Sequence, residues 1–373
     1  MLSASARWLI TLGLAAPCLW DYDTLAQERA RFPTTLELVT GHFPRHSREF
    51  YEWRVADRGR SLEAGALSAE LLDDLAVAHS KLGDDARAVE LMGLKEERFP
   101  GLYTTAANLG TFHVHAGDLE EGLRHIERAI EINPEAHFGR EIYQALLVRY
   151  LLNLRGEEEA LSPPLDRSGA RPVGKRQSGF WVFLREAREV SEEGEAEEIR
   201  RAVQGVLGMM RFGNHDSPVL LEALADLLLA DPDQDAKRLA ARALLKAAYE
   251  VEEDSARRAY RAKAEAALAM QTPAPQQYEN IGLARVEEAF QQELAEADAW
   301  WAELRASELR WIETGEDVDA RFQEAYLGAT PRTRGDREGR YRAVQRYGGY
   351  AVAIVVVIAL AYIVALPRSG RAA

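Results

Sequence analysis

Residues 68–101 read SAELLDDLAVAHSKLGDDARAVELMGLKEERFPG, and residues 102–136 read LYTTAANLGTFHVHAGDLEEGLRHIERAIEINPEA. The two stretches repeat one pattern at a spacing of 34 residues. His79 becomes His113, Gly83 becomes Gly117, Ala88 becomes Gly122, Met92 becomes Ile126 and Pro100 becomes Pro134. A fixed period of this length predicts stacked helical hairpins rather than a single closed domain. Each hairpin explains its own punctuation. Small residues at 76/110 and 88/122 let two helices approach closely. Gly83 and Gly117 end the first helix in a left-handed turn. Pro100 and Pro134 stop the second helix before the next unit.

These units resemble tetratricopeptide repeats. The resemblance rests on Leu75-Ala76, Gly83, Ala88, Met92 and Pro100 in the first copy, and on Leu109-Gly110, Gly117, Ile126, Ala129 and Pro134 in the second. Its wording departs from the family where His79 and His113 stand for an aromatic and where Gly122 stands for alanine. The third unit loses the pattern after its first helix. The resemblance implies an all-α solenoid of TPR-like helical hairpins that binds a protein or peptide partner on its concave face. On this chain that face would carry Asp73, Val77, Lys81, Thr104, Ala107, Asn108, Thr111, Val114 and His115, with Glu70 and Ser80 beside them. The Lys, Arg and Asn clamp that grips a peptide carboxylate in part of the family is not matched. Asn108 has two readings, as a ligand contact or as a group that bonds backbone within the groove.

Outward from the repeats, residues 21–68 form a helical lead-in rich in aromatic, His and Arg residues. Within it, Ser47 to Leu62 has helical spacing. The TPR-like region runs over 69–154, its third unit opening near His137. Residues 155–179, LRGEEEALSPPLDRSGARPVGKRQSG with its leading leucine, read as a linker or long loop. A second helical-repeat-like region spans 180–329. In it Asp216 or Ser217 is the expected N-cap and Pro218 the first helical residue. Its last long helix, 279–314, repeats Leu283, Phe290, Ala297, Leu304 and Trp311 every seven residues. Such a stripe needs a partner surface, either the preceding hairpin or a second copy of the chain in a structural homo-oligomer.

Both ends are apolar. Residues 1–20 contain WLITLGLAAPCLW, of signal-peptide length, with small residues near Ala15 and Ala16 for cleavage. Cys18 sits there in a faint lipobox whose Pro17 breaks the pattern. Residues 347–367 carry no charge, and at about 1.5 Å per residue they reach about 31 Å, enough for one transmembrane helix. A basic stalk, 330–346, precedes this anchor, and a short tail, 368–373, follows it. The two ends disagree. A cleaved leader exports the body, whereas the six arginines from Arg332 to Arg346, against Arg368 and Arg371, favour a cytoplasmic body with a tail anchor. The expectation is a single-pass membrane protein with an extracytoplasmic body, because the first segment usually sets orientation.

The chain carries a formal charge of −14, which disfavours nucleic acid as partner. Its single cysteine excludes disulfide frameworks, cysteine zinc sites and CxxCH haem attachment within one chain. No P-loop, GxGxxG, HExxH or GxSxG motif is present, so no cofactor and no enzymatic activity are expected. Among eight histidines, His113 and His115 point to opposite sides of a helix; a metal-binding protein or enzyme using His79 and His113 is the alternative function, and that pair would need further ligands to hold a metal. His42, Arg45, His46, Arg48 and Glu49 read either as an anion or partner contact or as a solvated loop leading into a helix. His215-Asp216 reads as a turn and cap. The expected partner is a protein or peptide, itself membrane-associated.

Overall fold

A computed structural model of the chain describes residues 19–134, 136–155, 161–165, 179–270 and 282–328. The described residues form helices and connecting turns, with no strand among them. In chain order the α-helices are α1 (Thr24–Arg29), α2 (Thr35–Thr40), α3 (Arg48–Glu63), α4 (Ala69–Lys81), α5 (Asp85–Arg98), α6 (Tyr103–His115), α7 (Leu119–Ile132), α8 (Arg140–Arg155), α9 (Phe180–Ala187), α10 (Glu195–Phe212), α11 (Pro218–Ala230), α12 (Gln234–Glu250), α13 (Asp254–Ala269), α14 (Leu283–Thr314) and α15 (Val318–Phe322). A π-turn over Gln323–Leu327 closes the described chain.

Local chemistry sets these boundaries. Ser47, Ser68, Asp84, Asp118 and Ser217 each accept a backbone N–H of the first helical turn. Thr34 and Glu37 form a reciprocal capping box at α2. Gly83 and Gly117 stand at φ +89° and +87° between the helices of the two hairpins. There the Asp84 and Asp118 N–H groups bond back to the His79 and His113 carbonyls at 2.9 and 2.8 Å.

Packing follows the chain order from α3 to α8, then α10 to α13, each helix against the next. The crossing of α6 on α7 is the tightest in the repeats. A Cβ on Gly110 would lie 2.6 Å from Ile126 Cγ1, and one on Gly122 would lie 2.6 Å from Val114 Cγ2. One apolar core runs from Leu38 through α8, α10, α11 and α12 to Phe290. The segment expected as a linker contributes to it. Leu165 is buried, and its N–H donates to Glu222 Oε2 at 2.7 Å. Tyr260 and Lys263 bond the same carboxylate, so the two helical regions share one interior.

Helix α14 does not pack on the preceding hairpin alone. Its 32 residues span about 48 Å, touching α12 and α13 at one end and α2 and α3 further along. The heptad stripe is covered inside this chain. Val286 and Phe290 join the main core, while Leu304 and Trp311 pack with Phe50, Val318 and Phe322. The short α1 and α2 lie inside this arrangement, α2 against α10, α12 and α14.

Leu19 and Trp20, the last two residues of the expected leader, belong to the folded body. Leu19 is buried with Leu72, Leu75 and Phe112. The remainder of that leader, the stalk and the expected span at 347–367 lie outside the described residues, among which no helix is long and apolar enough to cross a membrane.

Candidate functional site

The side of α4 and α6 expected to face a partner is met first by the chain's own residues 19–24. Asn108 holds Trp20 through both backbone atoms. The Trp20 N–H donates to Asn108 Oδ1 at 2.8 Å, and Asn108 Nδ2 donates to the Trp20 carbonyl at 3.1 Å. Two residues on, the Tyr22 N–H donates to Asp74 Oδ1 at 2.9 Å. Main-chain bonding of this kind seats the segment, which turns at 21–23 into α1, without demanding a particular side chain.

A buried ionic cluster fixes the same segment. Arg54 is wholly buried and donates to Asp21 at 3.0 Å and to Asp23 and Asp319 at 2.5 Å each. Arg58 reaches Asp74 at 3.0 Å and also Asp319. His46 contacts Asp23 through Nε2 at 3.1 Å and Glu308 through Nδ1 at 2.6 Å. Its ring stacks on Phe50 at 3.6 Å between centroids. Burial alone would lower His46, but Asp23 and Glu308 together lift it to about 9. Burial raises Asp21 to about 6 against the pull of Arg54. For Asp23 burial is outweighed, and Arg54 with His46 holds its carboxyl well below the usual range. Five elements are thereby joined: the N-terminal segment, α3, α4, α14 and α15.

The expected concave residues divide into three groups. Asp73, Thr104 and Asn108 are tied internally, because the buried Lys95 ammonium donates to Asp73 at 2.6 Å and to Thr104 at 2.6 Å, and Asn108 also bonds Asp73 at 3.0 Å. Burial drives Asp73 up to about 6 in spite of Lys95. Ala107, Thr111 and Val114 are buried in helix packing. Val77, Lys81 and His115 line an open cavity of about 820 Å³.

That cavity is bounded by the C-terminal ends of α4, α6 and α10, by the 43–51 segment and by Asn214 and His215. Lys81 donates to the carbonyls of Phe212, at 3.0 Å, and Gly213, where α10 presents the negative end of its dipole. Burial lowers Lys81 to about 8, partly countered by Asp21. Ser80 Oγ donates to Asp85 Oδ1 at 2.5 Å and lies 3.2 Å from His115 Nδ1. Its proton goes to the carboxylate rather than to the imidazole, so Ser80 and His115 make no nucleophile–base relay. His215 is pushed by burial down to about 3 and is neutral. It touches Phe43 edge-on at 5.3 Å and has Asp216 3.1 Å from Nε2.

The His/Arg cluster at 42–49 is neither a solvated loop nor a free anion site. Arg45 lies 4.8 Å over Trp301 and His42 4.9 Å from Trp300, both on α14. Sequence reasoning missed Arg54, Asp21, Asp23 and Glu308. The available signals were an acidic Trp-Asp-Tyr-Asp run close to an apolar segment, and Glu308 beside the stripe of α14. His79 and His113 do not face one another. Each is turned to the aspartate of its own hairpin, at 3.4 Å for Asp84 and 3.6 Å for Asp118. Compared with known proteins, the chain matches no family model and no curated protein.

Proposed function

We propose that this chain is a TPR-like scaffold that binds a protein or peptide partner at the cavity beside its own docked N-terminal segment. The reading adds a tether, the apolar run at 347–367, which rests on sequence alone. The observation that carries it is the pair of bonds between the Asn108 side-chain amide and the Trp20 backbone. It supports a reading in which the inner face of α4 and α6 holds peptide main chain, and the adjoining cavity, with Val77, Lys81 and His115 in its wall, offers room for more. Tethering would raise the effective concentration of this cavity for other membrane-associated proteins. The body is read as extracytoplasmic, with the tail-anchored cytoplasmic arrangement as the alternative.

Ala86 and Ala116 stand exposed at the cavity lip, so substitutions there leave the core untouched. A photo-crosslinking residue at either position in the full chain should capture a partner protein, and Ala86→Arg with Ala116→Arg should abolish capture. Capture only from an outward position such as Glu90 would overturn the cavity assignment. Protection of the body from added protease in sealed membranes separates the two orientations.

A further inference from the structure

The second hairpin brings together three ligand-type side chains, of which the first has only the histidine at the register of His113. His113 lies near the end of α6, Glu121 in the first turn of α7, and His125 one turn later. One ligand atom from each lies within 4.8 Å of the others. The two imidazole rings are nearly parallel, 9° apart, with centroids 5.5 Å apart. Glu121 Oε1 is 3.4 Å from His125 Nε2. All three are half-buried, which leaves the group open to an ion from solvent.

The 34-residue repeat supplies an internal control. His79 with Asp84 and His113 with Asp118 have the same geometry, and both aspartates cap the following helix, at 3.2 and 3.3 Å to the Arg87 and Glu121 N–H groups. The His–Asp pair is therefore part of the turn in either hairpin. The residues that differ are the other two, Arg87 becoming Glu121 and Leu91 becoming His125. Leu91 is a core residue, so the second copy gives up apolar burial for an imidazole at that register. His113 Nδ1 stands 3.6 Å from Asp118 Oδ2, so a small ring rotation would turn Nδ1–H to that carboxylate and leave Nε2 for a metal. A carboxylate behind a metal-bound imidazole is the usual support for such a ligand.

A cation already sits among these acceptors. The Arg124 guanidinium donates to both Glu121 oxygens, at 2.9 Å for Nε, and lies 2.8 Å from His125 Nε2. His125 thus presents a lone pair to that point. The Arg124 side chain is 60% exposed, and exposed pairs of this kind contribute little. A directly coordinated divalent ion would displace it. Two imidazoles and one carboxylate suit zinc, with water as fourth ligand. Zinc donors at about 2.1 Å stand about 3.4 Å apart, so side-chain rotation must close the group by about 1.4 Å.

We propose that His113, Glu121 and His125 form a zinc site bridging α6 and α7, with Asp118 orienting His113 and Arg124 holding the position until zinc displaces it. The test is zinc titration of the untagged full chain against a chromogenic chelator. One zinc per chain is expected. His125→Leu, which installs the first hairpin's residue, should weaken binding at least tenfold. Asp118→Asn should weaken it by about 10- to 100-fold, and His79→Ala should leave it unchanged. Arg124→Ala should tighten it, which a purely structural cluster would not do. Zinc should also raise the melting temperature of the wild type but not of His125→Leu. Absence of binding at micromolar zinc, or equal affinity in a folded His125→Leu, would overturn the site.

Discussion

His46 touches charge from two directions, Asp23 on the N-terminal segment and Glu308 on α14, with Phe50, Tyr51 and Phe322 around the ring. Its folded pKa, near 9, lies above the ordinary 6.5. The resulting stabilisation is complete below pH 6.5 and disappears as pH rises toward 9, on the order of 3 kcal/mol in all. Denaturant titrations across that window should show the wild type losing stability relative to His46→Gln. Lys95 poses the converse case. Lys95→Met leaves Asp73 buried and unpaired, which should cost about 3–5 kcal/mol at pH 7. Asp73 titrates near 6 even with its partner, and losing Lys95 raises it further, so the deficit measured by chemical unfolding should shrink as pH falls toward 6 and stay level below it. Asp73 was legible as a residue on the inner helix but not as half of a pair. The clue lay in Lys95, which continues the buried stripe of Leu91 and Met92. A charge on that stripe needs a partner wherever the chain can supply one.

Helices and their turns were the most legible scale. Capping residues, the two left-handed glycines and the small residues at the crossings are local signals, and the helices begin and end within a few residues of where those signals lie. The exceptions are where tertiary contacts intervene. Helix α9, the first after the loop, ends at Ala187 with no Gly or Pro to stop it there, and Glu189 takes a positive φ of 51°. At the α6–α7 crossing, Gly122→Ala would set its Cβ 3.0 Å from the Gly110 carbonyl and 3.1 Å from the Val114 nitrogen. Backbone cannot yield as a side chain does, so a cost of about 1–3 kcal/mol should exceed the helix-propensity gain of about 1 kcal/mol. Gly117→Ala meets nothing within 4 Å, and its cost of about 1 kcal/mol comes from the left-handed backbone alone. Equilibrium unfolding of the two variants separates crowding from conformation.

At the scale of the whole molecule, periodicity was a poor guide. A solenoid read from 34-residue spacing offers an open inner face, because each repeat contacts only its neighbours. Nothing in local pattern announces that residues 19–24 will lie on that face or that α14 will meet α3. Those outcomes depend on Arg54, His46 and Glu308 finding partners far along the chain, and such pairing leaves no period. The consequence is measurable. A chain ending before Leu283 removes Glu308 from His46 and Ser47, and Trp300 and Trp301 from the 42–45 segment. Calorimetry should then show a broad or split transition, while a chain lacking only 331–373 keeps a single one. His46 and Glu308 are 262 residues apart in sequence. At synthesis rates of about 5–20 residues per second, that separation is about 13–50 s. Throughout that interval the N-terminal clamp has only part of its charge partners, and the newborn chain offers the inner face of its first hairpins to whatever factor meets it before Glu308 arrives.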